Sequence, residues 1–354
     1  EAVYFDVTTA TEGRIVALEY SAYDGSPVNV FAVPVSFLPG GDGAPVATPE
    51  PRNYDVVVAD GTATALTGSN IITAAYGTAA DQVGFDPKGF GPCCFDVSGD
   101  GQIVVLDAQN TRIVRYGADG GSPTVLVDFD PADFVPDAVA VIGDTVVAVG
   151  MTNRPSRPYD AIALSLADGE ILQRVESNID INGDLRATTD GVFWAAAASE
   201  PRWMSVANAD GTLVDSPSPL VFAQLPGEST LSFAYDAGVE VSVQPAGDSA
   251  LTTYDIVIVD ESALFAEVLG YQRYADGAIV LLGGAFDADN RATVIAIELG
   301  TTSDDTLTAN QWQFAIERSA DTGSFGTFRY AYGGIYAMST TDDGMVITRY
   351  ELGS

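Results

Sequence analysis

Apolar and polar positions alternate with period two along most of this chain, in short runs broken by Gly, Asp, Asn and Pro. No stretch repeats its apolar residues at helical spacing. One strand pattern recurs: Tyr54-Asp55-Val56-Val57-Val58-Ala59-Asp60, Tyr159-Asp160-Ala161-Ile162-Ala163-Leu164, and Tyr254-Asp255-Ile256-Val257-Ile258-Val259-Asp260. Each copy is a β-branched-rich strand opened by Tyr-Asp, and two of the three close on Asp. The Asp suits a turn, and the Tyr suits the cover of a seam between sheets.

Alternation and turn signals sort the strands into groups of four. The groups are 14–20, 28–35, 54–59 and 62–66; 94–97, 102–107, 112–116 and 123–129; 138–142, 145–151, 161–166 and 171–176; 185–189, 192–198, 203–207 and 212–215. They continue with 231–235, 239–244, 254–259 and 263–268; then 271–275, 278–284, 293–299 and 311–317. The last group, 327–331, 335–340 and 345–351, has only three strands, and the orphan strand 2–7 is expected to supply its fourth. A small sheet repeated at roughly 50-residue intervals cannot bury both faces alone, so the sheets stack around an axis. The expectation is an all-β chain, one β-propeller domain over 1–354, with seven four-stranded blades and a 3+1 closure of its N- and C-terminal strands. Six blades is the alternative, if the fifth group is misread.

The second group carries a family resemblance. Pro92-Cys93-Cys94-Phe95-Asp96 leads through an Asp100-Gly101 turn to a strand ending at Asp107, followed by Asn110-Thr111-Arg112-Ile113. This phrase resembles an NHL repeat; the third group keeps only Pro136 and Gly143-Asp144. The resemblance implies a propeller, and because NHL propellers serve both binding and enzymatic roles, it does not choose between them.

Composition narrows the chemistry. The 354 residues include 49 acidic ones against 14 arginines and the single lysine Lys88, for a formal charge of −34. Such a field repels nucleic acid and anionic membranes. No apolar run is long enough to span a bilayer. Histidine is absent, which removes Ser-His-Asp and Cys-His catalysis and histidine-ligated metals. Two cysteines alone cannot build a structural zinc site. The chain begins at Glu1 rather than Met, so an exported protein, secreted, periplasmic or cell-surface, is expected. A monomer is expected.

The stretch from Asp96 to Asp107 mimics an EF-hand loop, with Ser98, Asp100 and Gly101 in place, but its flanks read as a hairpin rather than helices. Asp180-Ile181-Asn182-Gly183-Asp184 is a weaker echo. No cofactor is assigned, and calcium is the one metal left open.

Cys93 and Cys94 are adjacent and are the only cysteines. In an exported chain they are expected to form a vicinal disulfide, strained because neighbouring Cα atoms lie only about 3.8 Å apart. The pair opens the innermost strand of its blade, where the loops entering first strands gather around the channel. A flat disulfide there could face a sugar or a planar ring, or merely stiffen a turn. Aligned on their turns, three other first strands place Arg186, Arg273 and Arg329 in one register, and Arg14 opens the first blade. Arginine suits carboxylate or phosphate recognition, and equally could pair with inner acids such as Asp137. Phe85, Phe90 and Tyr274 could wall the mouth, with the loops 37–53, 152–159 (Arg154, Arg157) and 286–291. The expected ligand-binding set is therefore Cys93, Cys94, Arg14, Arg186, Arg273, Tyr274, Arg329, Asp137 and Phe90.

These residues favour a binding or scaffold propeller holding a small polar or anionic molecule or a glycan at the channel mouth. A carboxylate-based hydrolase or lyase, of glycosidase or calcium-dependent lactonase type, is the alternative, with Asp81, Asp86, Asp137 and Asp184 among many acids. A protein-interaction platform is the third reading.

Overall fold

The computed structural model describes residues 4–11, 14–20, 27–34, 52–58, 63–86, 91–154, 159–177, 183–188, 191–196, 203–215, 219–220, 230–235, 239–244, 252–258, 264–273, 279–286, 292–301, 307–315, 327–331 and 333–352. They fall into two compact units, Glu1–Thr48 and Pro49–Ser354. The first unit holds β1 (Tyr4–Thr11), β2 (Arg14–Tyr20) and β3 (Pro27–Pro34), an antiparallel sheet in that order.

The second unit opens with β4 (Arg52–Val58), β5 (Thr64–Ala65) and β6 (Gly68–Ala75), each of which joins a sheet formed much later in the chain. Next come two four-stranded meanders. The first is β7 (Cys94–Val97), β8 (Ile103–Asp107), β9 (Arg112–Tyr116) and β10 (Thr124–Asp128); the second is β11 (Val135–Ile142), β12 (Thr145–Met151), β13 (Tyr159–Ser165) and β14 (Ile171–Ser177). A third comprises β15 (Gly183–Thr188), β16 (Gly191–Ala196), β17 (Trp203–Asn208) and β18 (Pro219–Leu220). β19 (Thr230–Tyr235), β20 (Val239–Gln244) and β21 (Thr252–Ile258) are completed by β4. β22 (Leu264–Arg273), β23 (Ile279–Phe286), β24 (Ala292–Thr301) and β25 (Leu307–Ala315) are completed by β5. Last, β26 (Thr327–Ala331), β27 (Gly334–Thr341) and β28 (Gly344–Glu351) are completed by β6.

The way apolar residues divide between sheet faces makes this a β-propeller. All five residues of β8 are buried. Ile103 and Val105 pack with Phe95, Ile72, Tyr336 and Ile347, while Val104 and Leu106 pack with Phe134, Val139 and Ile162. β12 divides the same way, Val147 and Val149 facing Leu185 and Val192, Val146 and Ala148 facing Val104. Each of these two sheets is thus an apolar layer between two others, and each large side chain in a seam contributes about 1.5–3 kcal/mol of burial. First strands lie side by side, β22 beside β26, β26 beside β7, β7 beside β11 and β11 beside β15. The turns lock the seams: Gly120 between β9 and β10 (φ +75°) sits so near β6 that a Cβ would lie 1.7 Å from the Ile71 carbonyl oxygen, and Gly169 between β13 and β14 meets the Leu126 carbonyl of β10 likewise at 1.8 Å. Arg115 donates across its seam to the carbonyls of Leu166 and Ala167 at 2.6 and 2.8 Å.

Three pairings depart from the expected grouping. The 3+1 closure is present, but β6 supplies its fourth strand, antiparallel to β28, whereas the expected 2–7 segment falls largely in β1, which pairs with β2. The strand 263–268, expected to end the fifth group, is continuous with 271–273 as β22 and turns to β23, with bulges at Phe265/Glu267 and Val268/Gly270. That leaves the outer edge of β21 open, and β4 fills it in parallel, Tyr54 opposite Tyr254 and Asp55 opposite Asp255. The expected first blade is accordingly divided. Among the described residues the second unit carries six sheets.

Candidate functional site

β26, β7 and β11 run alongside one another in the same direction, and their starts converge. The Thr327 hydroxyl donates to the Cys93 carbonyl at 3.2 Å. Both thiols point to one acceptor: Cys93 Sγ and Cys94 Sγ lie 3.6 and 3.5 Å from the Asp137 carbonyl oxygen. Cys93 is exposed and Cys94 half-buried, and neither is in a disulfide. The expected bond is not made in this structure, where one carbonyl lies within reach of both sulfurs. Burial raises the pKa of the half-buried Asp137 carboxyl.

One step along the same strands lies an ionic tie. Arg329 Nε stands 3.7 Å from Asp96 Oδ1, with its guanidinium 6.0 Å from the centre of the Phe95 ring. Asp96 in turn accepts from the backbone N–H of Val141 at 2.7 Å and of Val97 at 2.9 Å. One carboxylate therefore bridges three inner strands. Period-two alternation put Asp96 on the face of Cys94, but sequence reasoning weighed it only as a calcium ligand and so missed this role. Thr327 carried no signal of its own.

The connection that delivers Cys93 is held by the Asp-Asn-Arg part of the repeat phrase. Asp107 is fully buried, accepting from Gly84 N at 2.8 Å, Asn110 Nδ2 at 2.8 Å and Arg112 Nε at 2.9 Å. Arg112 continues to the carbonyls of Thr78, Ala79 and Gln82 at 2.8, 2.7 and 2.9 Å. β7–β8 is a hairpin, Cys94 opposite Leu106, which puts this clamp at the same end as the thiols. Phe85 lies there too, exposed and tilted against Tyr76 with ring centres 4.4 Å apart.

The remaining expectations sort differently. Arg186 lies half-buried on β15, opposite Phe193 in register. Arg273 ends β22, and its side chain, with Phe90 and Tyr274, lies outside the described residues. Arg14 opens β2 in the first unit, its side chain also outside them. Arg154, expected on a specificity loop, instead pairs with Glu176 and with the fully buried Asp160, which also holds Arg174. Arg174 reaches Asp133 and keeps that carboxyl below the usual carboxylate range. The Asp of the Tyr-Asp phrase is here a buried ionic anchor rather than a turn residue. Among the described residues no group of three or more Cys, Asp or Glu gathers at metal-binding spacing, and no helix is long and apolar enough to cross a membrane.

No protein-family model and no curated protein matches the chain. Among solved structures, virginiamycin B lyase from Staphylococcus aureus is similar over 81% of this chain and 99% of its own, at 11% identity and TM-score 0.39. YCF48 bound to D1 peptide covers 81% and 97% at 9% identity and 0.38, and a chain of the mitotic checkpoint complex 92% and 100% at 10% and 0.44. Neither ligand nor activity is carried over from likenesses this low.

Proposed function

We propose that this chain is an exported, NHL-like binding propeller that holds a small polar or anionic molecule, or a glycan, at the mouth framed by Cys93, Cys94 and Asp137. One observation carries the reading: two thiols converge on the main-chain carbonyl of Asp137 where three inner strands begin, with Arg329 one step behind. Such a group offers a polarisable sulfur surface beside a main-chain acceptor, on a strand that also carries the half-buried Asp137 carboxyl, which suits hydroxyl-rich or acidic ligands. Arg186, Arg273, Phe90 and Tyr274 belong to the same proposed mouth.

A thermal-shift screen of sugars, organic acids, aromatic compounds and calcium, on reduced and oxidised protein in parallel, tests it. A true ligand at a hundredfold excess over its Kd stabilises by about 2.7 kcal/mol, and Asp137→Ala abolishes the shift. If no compound moves the transition in either state, the reading fails in favour of a protein partner. The raised pKa of Asp137 also favours a second reading, a carboxylate-based hydrolase with Asp137 as proton donor. Turnover of a glycoside or lactone, lost in Asp137→Asn, would establish it.

A further inference from the structure

The two cysteines differ in a way that ligand binding does not require. Cys93 is exposed, Cys94 is half-buried, and both thiols rest on one carbonyl of the neighbouring blade. A bond between them would close a ring across adjacent Cα atoms about 3.8 Å apart, below the usual range. Disulfides of that kind are reduced readily and belong to the labile class rather than the structural one. Exposure sets which sulfur an outside reagent reaches first.

We infer that Cys93 and Cys94 are a reversible dithiol–disulfide couple, Cys93 the attacking thiol and Cys94 the resolving one. The oxidant is a small-molecule disulfide. The Cys93 thiolate attacks one of its sulfurs, forming a mixed disulfide and expelling the first small thiolate. The Cys94 thiolate then attacks the Cys93 sulfur, closing the vicinal bond and expelling the second. Two protein thiols are oxidised, one small disulfide is reduced to two thiols, and the two protons leave with them. The Asp137 carbonyl loses both S–H donors, so the seam between β7 and β11 registers the change. This couple shares its cysteines with the proposed ligand site but stands without any ligand.

Glutathione disulfide is the probe, followed by intact mass on the full chain. Wild type is expected to lose the mass of two hydrogens and keep no adduct, and excess reduced glutathione should restore it. Cys94→Ser is expected to retain one glutathione, and Cys93→Ser to react roughly tenfold more slowly. Stable adducts on wild type, or equal rates for the two variants, would overturn the inference. The wild-type mass decides even if a variant folds poorly, and a failed ligand screen leaves it untouched.

Discussion

At the scale of single residues, one half-buried and one buried group make the folded state sensitive to pH in predictable directions. Burial raises the Asp137 carboxyl above its ordinary 3.8, so the unfolded chain releases that proton first as pH rises. The folded state then binds more protons, and stability falls as pH climbs from 3.8 through the folded value. Asp137→Asn removes that loss. Urea unfolding should show the variant more stable than wild type near neutral pH and no better below 3.8. Tyr116 titrates at the other end. Its hydroxyl is buried with no hydrogen-bond partner among the described residues, and burial, aided by Asp107, pushes its pKa from 10.0 up to about 12. Tyr116→Phe should gain about 1 kcal/mol at neutral pH, since it removes an unsatisfied buried group. The same variant should lose less stability than wild type between pH 10 and about 12, where the unfolded tyrosine ionises and the folded one resists.

At the scale of elements, the clamp on the segment leading to β7 depends on one guanidinium. Arg112→Ala leaves Asp107 buried without its counter-charge and takes one donor away from each of three carbonyls. The expected cost is about 3–5 kcal/mol, with proteolysis concentrated near residues 77–84. Arg112→Lys should fall between, because an ammonium keeps the charge but not the planar fork. The hairpins β7–β8 and β11–β12 were legible in advance, since turn glycines and alternation specify local antiparallel pairs. The long strand β22 was not: 263–268 and 271–275 were expected as separate strands of different groups, whereas two bulges carry one strand through both. Nor was the use of Arg154, because the partner that holds it, Asp160, had been read as a turn residue.

At the scale of the whole molecule, charge dominates. A chain of formal charge −34 repels itself when compact. Raising the sodium chloride concentration to about 1 M, where the screening length is about 3 Å, should raise the unfolding temperature. Potassium chloride should act equally if screening alone is responsible; a response confined to calcium would instead point to a bound ion.

What the sequence determined by itself was the nature of the layers. Strand runs such as 103–106 are apolar on both faces, which demands a sheet buried between two others, and short turns make each such sheet a meander of neighbours. The absence of histidine likewise bounds the chemistry. Only the tertiary structure decided which distant strand fills each open edge, β4 on β21, β5 on β25 and β6 on β28. It alone brought both thiols to the Asp137 carbonyl and Arg329 to Asp96. The reason is range: alternation and turns act over a few residues, while an open edge or a seam belongs to segments far apart in the chain, whose pairing is fixed by which surfaces remain to be covered once the local sheets have formed.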